Sequence, residues 1–221
     1  LPPPVWRACS GTGGEPAVRS GISLRHTSYT VSRGLTMALT TLDAKTALIV
    51  IDLQEGIVAL PVVHEPQPVI ERCAALAAAF REKDLPVVIV NVAGGAPGRT
   101  ESPRHQGELP ANWATLVPAM TPQHNDITVT KHTWGAFNQT TLHDQLQKRG
   151  ITQVVICGIA TSIGVESTAR QAYELGYNVT LAVDAMTDLN SDTHENSIKR
   201  IFPRLGETGS CDDVRAKLNA L

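Results

Sequence analysis

Aromatic residues are scarce in this 221-residue chain, at 4% of positions, so its core has to be assembled from Val, Ile, Leu and Ala. Cysteine is equally thin. The four present, Cys9, Cys73, Cys157 and Cys211, are widely scattered, with no CxxC pair and no histidine cluster. That spacing excludes a zinc ribbon or finger and argues against a disulfide framework, which points to a reducing, cytoplasmic setting. No apolar run approaches the roughly 18 residues needed to span a bilayer, so no membrane association is expected. Neither charge sign dominates: 19 basic against 21 acidic residues leave a net charge of −2, which excludes a general nucleic-acid binder. What is there is ordinary globular material, 42% apolar and 18% charged, of a length that suits one large domain.

The chain changes character at Met37. Residues 1–36 hold four arginines, no lysine and a single acid, Glu15, among many Ser, Gly and Pro. Residues 37–221 hold the remaining 15 basic and 20 acidic groups. An Arg- and Ser-rich, acid-poor leader has the composition of an organelle transit peptide, and equally of sequence upstream of the true start. Either way it has too little apolar content to offset its ordering entropy. The reading is therefore a leader over 1–36, disordered or foreign to the native protein, and a folded domain over 37–221.

Within that domain, β-branched runs at 46–51 (TALIVI), 86–92 (PVVIVNV), 126–130 (DITVT), 153–158 (QVVICG) and 178–184 (NVTLAVD) alternate with helical patterns. Several runs are apolar on consecutive residues, as in parallel strands buried on both faces. The helices are read from Pro68 through Phe80, around Leu142 and Leu146 up to Gly150, from Ile163 to Gly176, from a capping box at Asp192 and Glu195, and from Asp212 to Leu218. Such alternation predicts an α/β fold, a mostly parallel sheet between two helical layers, with the ligand crevice beyond the carboxyl ends of the strands. The stretch 94–122 is rich in Gly and Pro and lacks periodicity, and reads as a lid over that crevice.

The crevice rule selects residues. Asp52 closes the first strand, where an apolar flank would desolvate it; capping of the following turn is the structural alternative. Lys131 emerges from the third strand, and its alternative is a stem that reaches solvent. Opposite charges leaving one edge of one sheet can orient a substrate or move a proton. The turn GIATSIG at 158–164 opens a helix, and its backbone N–H groups suit an anion or oxyanion. It is neither a phosphate loop nor a dinucleotide fingerprint. Gln54, Arg99, Trp134 and Phe137 are candidate pocket residues, Arg99 for a substrate carboxylate. Among the histidines only His132 and His194 fall near the crevice, and no pair has metal-ligand spacing, so neither a metal nor another cofactor is expected. Cys157 lies inside a strand and reads as a buried small hydrophobe, not a nucleophile.

IDLQ at 51–54, TKHTWGAFNQTTL at 130–142 and GIATSIGVESTARQAYELGYNVTLAVDA at 158–185 resemble, in order, the isochorismatase-like hydrolases of the cysteine hydrolase superfamily. The resemblance spans nearly the whole chain from Met37. It implies a six-stranded, Rossmann-like three-layer αβα fold, a small-molecule substrate and a homo-oligomer. Most members resemble amidases with an Asp–Lys–Cys triad. Carried over, Asp52 is the acid, Lys131 the lysine, and Ala160, Thr161 and residue 164 supply the oxyanion or substrate backbone. The nucleophile's position, however, is Gly164.

That departure has its own implication. True isochorismatases resemble this chain in carrying glycine there, and they cleave an enol ether without a covalent intermediate. The expectation is a hydrolase acting on a small anionic substrate, with Asp52 as general acid and Lys131 positioning it. Burial has to win over the ammonium in setting the pKa of Asp52. The alternatives are a catalytically inactive relative that binds a small metabolite, and an amidase using water or an unrecognised residue. The second-strand region lacks the histidines of the family's metal-dependent nicotinamidases.

Overall fold

The computed structural model describes residues 39–102 and 108–221. The leader assigned to 1–36 and the boundary at Met37 lie outside them. The elements run β1 (Thr46–Ile51), α1 (Glu55–Val58), α2 (Pro66–Glu82), β2 (Val87–Val92), β3 (Ile127–Lys131), α3 (Leu142–Lys148) and β4 (Gln153–Ile159). They continue with α4 (Glu166–Glu174), β5 (Asn178–Thr187), α5 (Ser191–Asn196), α6 (Phe202–Leu205), β6 (Glu207–Gly209) and α7 (Cys211–Asn219). The strands form one parallel sheet in the order β3-β2-β1-β4-β5-β6. After β1 the order reverses direction, and the carboxyl ends at that switch point are where such sheets bind ligands.

The unbroken apolar runs of β1 and β4 are buried along their whole length because helices cover both faces. Alternation along β1 divides the core. Leu48 and Val50 pack with Cys73, Leu76 and Phe80 of α2 and with Val214 and Leu218 of α7. Ala47, Ile49 and Ile51 pack with Leu142 and Leu146 of α3 and with Ala169 and Ala172 of α4. On α2 the buried residues Val69, Ile70, Cys73, Ala77 and Phe80 recur at spacings of three and four, and Pro66 starts the first turn. Truncating Phe80, which is fully buried, would cost about 3–5 kcal/mol.

One local expectation needs correction. The capping box expected at Asp192 and Glu195 does not form. Asn190 caps α5 instead, its Oδ1 accepting from the N–H groups of Asp192 (2.8 Å) and Thr193 (3.1 Å). The capping box in this region belongs to α7, where Ser210 and Asp213 satisfy each other's N–H groups. The strand β6 was not read from its residues, because three residues (ETG) are too few to show a period. The stretch 94–122 is tied to the end of β1. Among its described residues, Leu116 bridges to Gln54 and Pro118–Met120 form a 3₁₀ turn.

β4 and β5 fall out of step near their ends, Ile156 pairing with Leu181 but Gly158 with Met186. Gly158 has φ 117°, and a Cβ there would stand 2.1 Å from the Ile51 carbonyl oxygen. Only glycine permits both the conformation and the approach. The bend brings the β4–α4 turn over the end of β1.

Candidate active site

The chain leaves β1 through Asp52, whose φ of 50° lies in the left-handed region that Asp tolerates better than most residues. Its N–H donates to the Val90 carbonyl (3.0 Å) and its own carbonyl accepts from the N–H of Gln54 (2.9 Å), so the reversal is held from both sides. On β3, burial alternates, which puts Lys131 on the inward face with Ile127 and Val129. Lys131 is 1% exposed and Asp52 4%. The Lys131 ammonium donates to Asp52 Oδ2 at 2.6 Å, and Oδ1 of the same carboxyl is buried without a protein partner.

Two influences compete at this carboxyl. Burial disfavours the anion, while the Lys131 charge and hydrogen bond favour it. Burial wins, and the pKa of Asp52 rises from 3.8 to about 6. Since Oδ2 is engaged by the ammonium, the proton of the neutral form belongs on Oδ1.

The β4–α4 turn completes the floor. The Ile159–Ala160 peptide is cis, and the Val165 N–H donates to the Ala160 carbonyl five residues back (3.1 Å), making a wide helical turn over Thr161–Val165. This turn lays Gly164 against the pair. A Cβ at Gly164 would stand 3.1 Å from Asp52 Oδ2 and 2.9 Å from Ile51 Cγ2.

Asp52, Lys131, Ala160 and Gly164 line a cavity of about 180 Å³. Its walls are apolar: Ile57, Leu60, Trp113, Trp134, Ile163 and Leu189. A larger groove of about 490 Å³ lies at the opposite end of the strands, beside Arg81, Asp126 and Arg149. Of its two guanidiniums, that of Arg81 grips Asp126 through Nε (3.2 Å) and Nη2 (2.6 Å), and that of Arg149 donates to the Gln145 carbonyl (3.2 Å). The smaller cavity is lined by Asp52, whose Oδ1 is buried without a protein partner.

The residues expected around the crevice separate on inspection. Asp52, Lys131, Ala160, Gly164 and Trp134 meet at the cavity, with Trp134 62% exposed at its mouth. Thr161 lies beneath the turn, donating to the Thr187 carbonyl (3.0 Å) and meeting His194 Nδ1 at 2.8 Å. Phe137 is buried in the core, stacked on Tyr177 with ring centroids 5.8 Å apart. Arg99 is exposed and is not among the lining residues. Gln54 is fully buried, and its amide is taken up by backbone groups of Val92 and Trp113. Of the histidines, His132 is exposed beside Gly94, and His194 is buried against Thr161 and His64. Among the described residues no group of three or more His, Cys, Asp or Glu is arranged to hold a metal ion.

Ile57, Leu60, Trp113, Ile163 and Leu189 were not anticipated. The aliphatic ones have no sequence signature, since nothing separates a pocket leucine from a core leucine. Trp113 did carry a signal: it is one of three tryptophans in the chain and sits in the stretch suspected of covering the crevice.

The chain is an α/β protein: a doubly wound parallel sheet with a buried acid–lysine pair at the carboxyl ends of its strands, closed by a strand-to-helix turn. Residues 46–213 match the isochorismatase domain. Across 176 residues the chain is 44% identical to the uncharacterized isochorismatase family protein YwoC of Bacillus subtilis, covering 76% of this chain and 92% of that protein. Across 190 residues it is 43% identical to the uncharacterized isochorismatase family protein YecD of Escherichia coli O157:H7, covering 81% and 98%. The structure of an isochorismatase family protein from Burkholderia thailandensis superposes with a TM-score of 0.77 at 44% identity, over 81% of this chain and 98% of that one. The chain belongs to the isochorismatase family of hydrolases, within the cysteine hydrolase superfamily.

Proposed function

We propose that the protein hydrolyses the enol ether of a small anionic substrate without a covalent enzyme intermediate. The observation that carries this reading is the Asp52 carboxyl, buried on the cavity floor with Oδ1 unpartnered and its pKa raised to about 6, beside a glycine where a nucleophile would stand. At pH 7 a carboxyl of pKa 6 is protonated about one time in ten, against fewer than one in a thousand at the ordinary value. Burial therefore maintains a usable acid where an exposed aspartate has none.

Asp52 Oδ1–H gives its proton to the terminal vinyl carbon, and the double-bond electrons form the new C–H bond. The positive charge left on the adjacent carbon is shared with the ether oxygen. Water adds there and returns a proton to Asp52, and the hemiketal breaks its C–O bond to release an alcohol and a keto acid. Lys131 holds the carboxyl through Oδ2 and stabilises the carboxylate formed when the proton has left. Water is the nucleophile, so Gly164 leaves space where a thiol would otherwise compete.

Pyruvate release from isochorismate by the purified full chain tests the reading. Pyruvate is expected from the parent, with a loss of about 10³-fold in Asp52→Ala, within the range of a positioned general acid. No pyruvate from the parent, with another small acid bound unchanged, would overturn it in favour of a non-catalytic binder.

A further inference from the structure

Three contacts converge on Trp113. Its carbonyl accepts from the Gln54 amide (2.8 Å) and from the Gly56 N–H (3.1 Å). The same Gln54 side chain donates to the Val92 carbonyl (2.9 Å) and accepts from the Val92 N–H (2.7 Å), so both its amide protons and its oxygen are used on backbone. Gln54 thus fastens the end of β2 and the 94–122 stretch to the end of β1 at one point. The third contact is steric. A Cβ at Gly56 would fall 2.3 Å from Cε3 and 2.5 Å from Cδ2 of the Trp113 ring, so the indole rests directly on the glycine backbone. Gly56 has no left-handed φ to explain it, being the second residue of α1, where glycine is unfavourable. Further bonds rivet the flanks: Glu55 N–H to Thr115 carbonyl (2.8 Å), Val117 N–H to Leu53 carbonyl (3.1 Å) and Asn91 Nδ2 to Ala114 carbonyl (2.8 Å). The residue held this firmly lines the Asp52–Lys131 cavity.

We infer that Gln54 and Gly56 are positioning residues that fix Trp113 as a specificity-determining wall, so that the enzyme selects substrates presenting an apolar, flat face to the indole. This rests on the reading of that cavity as the substrate site. An indole offers a large rigid apolar surface at little entropic cost, and it rewards a flat partner only if it cannot swing away. Gln54 acts through the wall and does not touch substrate.

Single-tryptophan proteins decide the matter. With Trp6 and Trp134 replaced by Phe, emission reports Trp113 alone; with Trp6 and Trp113 replaced, it reports Trp134. Gln54→Met and Gly56→Ala should each red-shift Trp113 emission and raise its acrylamide quenching at least twofold, leaving Trp134 unmoved. With isochorismate as probe, both variants should raise KM about tenfold with kcat within threefold. The double variant Gln54→Met/Trp113→Ala should be no worse than Trp113→Ala alone, as for residues acting through one group. Unchanged Trp113 emission in Gly56→Ala, or additive effects in the double variant, would overturn the inference. If the parent binds isochorismate without turnover, the enol-ether reading falls, and the dissociation constant read from Trp113 fluorescence replaces KM in the same comparison.

Discussion

The 2.6 Å contact between Lys131 Nζ and Asp52 Oδ2 joins the ends of two strands that are not neighbours, since β2 lies between β1 and β3. The lysine stem has to cross the end of β2 to reach the carboxyl, and this charged side chain is 1% exposed. The pair is therefore desolvated, and desolvation raises the pKa of Asp52.

The pH dependence follows from the sign of that shift. With a folded pKa of about 6 against an ordinary 3.8, the acid form is depleted as pH rises through 6. The rate of enol-ether hydrolysis should be level below pH 6 and fall about tenfold per unit above it, measured as kcat/KM. Stability runs the same way. Between pH 4 and 6 the folded state binds more protons than the unfolded one, so the contribution of Asp52 is greatest below about pH 4 and is lost as pH rises through 6.

Lys131→Met removes both influences that lower the Asp52 pKa, so the falling limb of the rate profile should move to higher pH. It also strands a buried carboxylate. Thermal or urea unfolding should show a loss of about 3 kcal/mol at pH 8, where Asp52 is ionised, and a clearly smaller loss at pH 5, where it is mostly neutral. Equal losses at the two pH values would contradict the electrostatic account.

Gly164→Cys should fold at a cost of about 1–3 kcal/mol, since the new Cβ has to displace both Ile51 Cγ2, 2.9 Å away, and Asp52 Oδ2, 3.1 Å away. Position 164 lines the cavity, whereas Cys73, Cys157 and Cys211 are buried; the hydrogen bond with Cys73 and then burial raise the pKa of Cys157, and burial raises that of Cys211. Iodoacetamide followed by peptide mapping should label position 164 at least tenfold faster than those three. The parent's activity should survive the same treatment. Thiol-dependent amidase activity in the variant would show that Asp52 and Lys131 can still serve a nucleophile.

Gly158→Ala should cost about 3 kcal/mol or more, because its Cβ would have to displace the Ile51 backbone while adopting φ 117°. Gly150, also at positive φ but with open space around it, should lose only about 1 kcal/mol on the same change. Urea midpoints of the two variants make the comparison.

Much of the molecule was legible in the linear pattern. The runs TALIVI and QVVICG are apolar on every residue or nearly so, which only a strand covered on both faces explains. Alternation with helices then implied a parallel sheet, and the carboxyl-end rule led to Asp52, Lys131 and the 158–164 turn. These signals survive in a sequence because each is local: a period, a charge at the end of an apolar run, a glycine after a helix. Three assignments depended on contacts between distant segments. Gln54 follows Asp52 closely enough to suggest the pocket, but Val92 and Trp113, 38 and 59 residues away, claim its amide. Phe137 follows Lys131 as Trp134 does, yet it turns into the core against Tyr177. Trp113 reaches the cavity because Gly56 leaves it room. Local pattern determined the strands, the helices and which strand ends bear charge. Which of the neighbouring side chains face the cavity was decided by tertiary packing, because a buried polar group goes to the partner that satisfies it, wherever in the chain that partner lies.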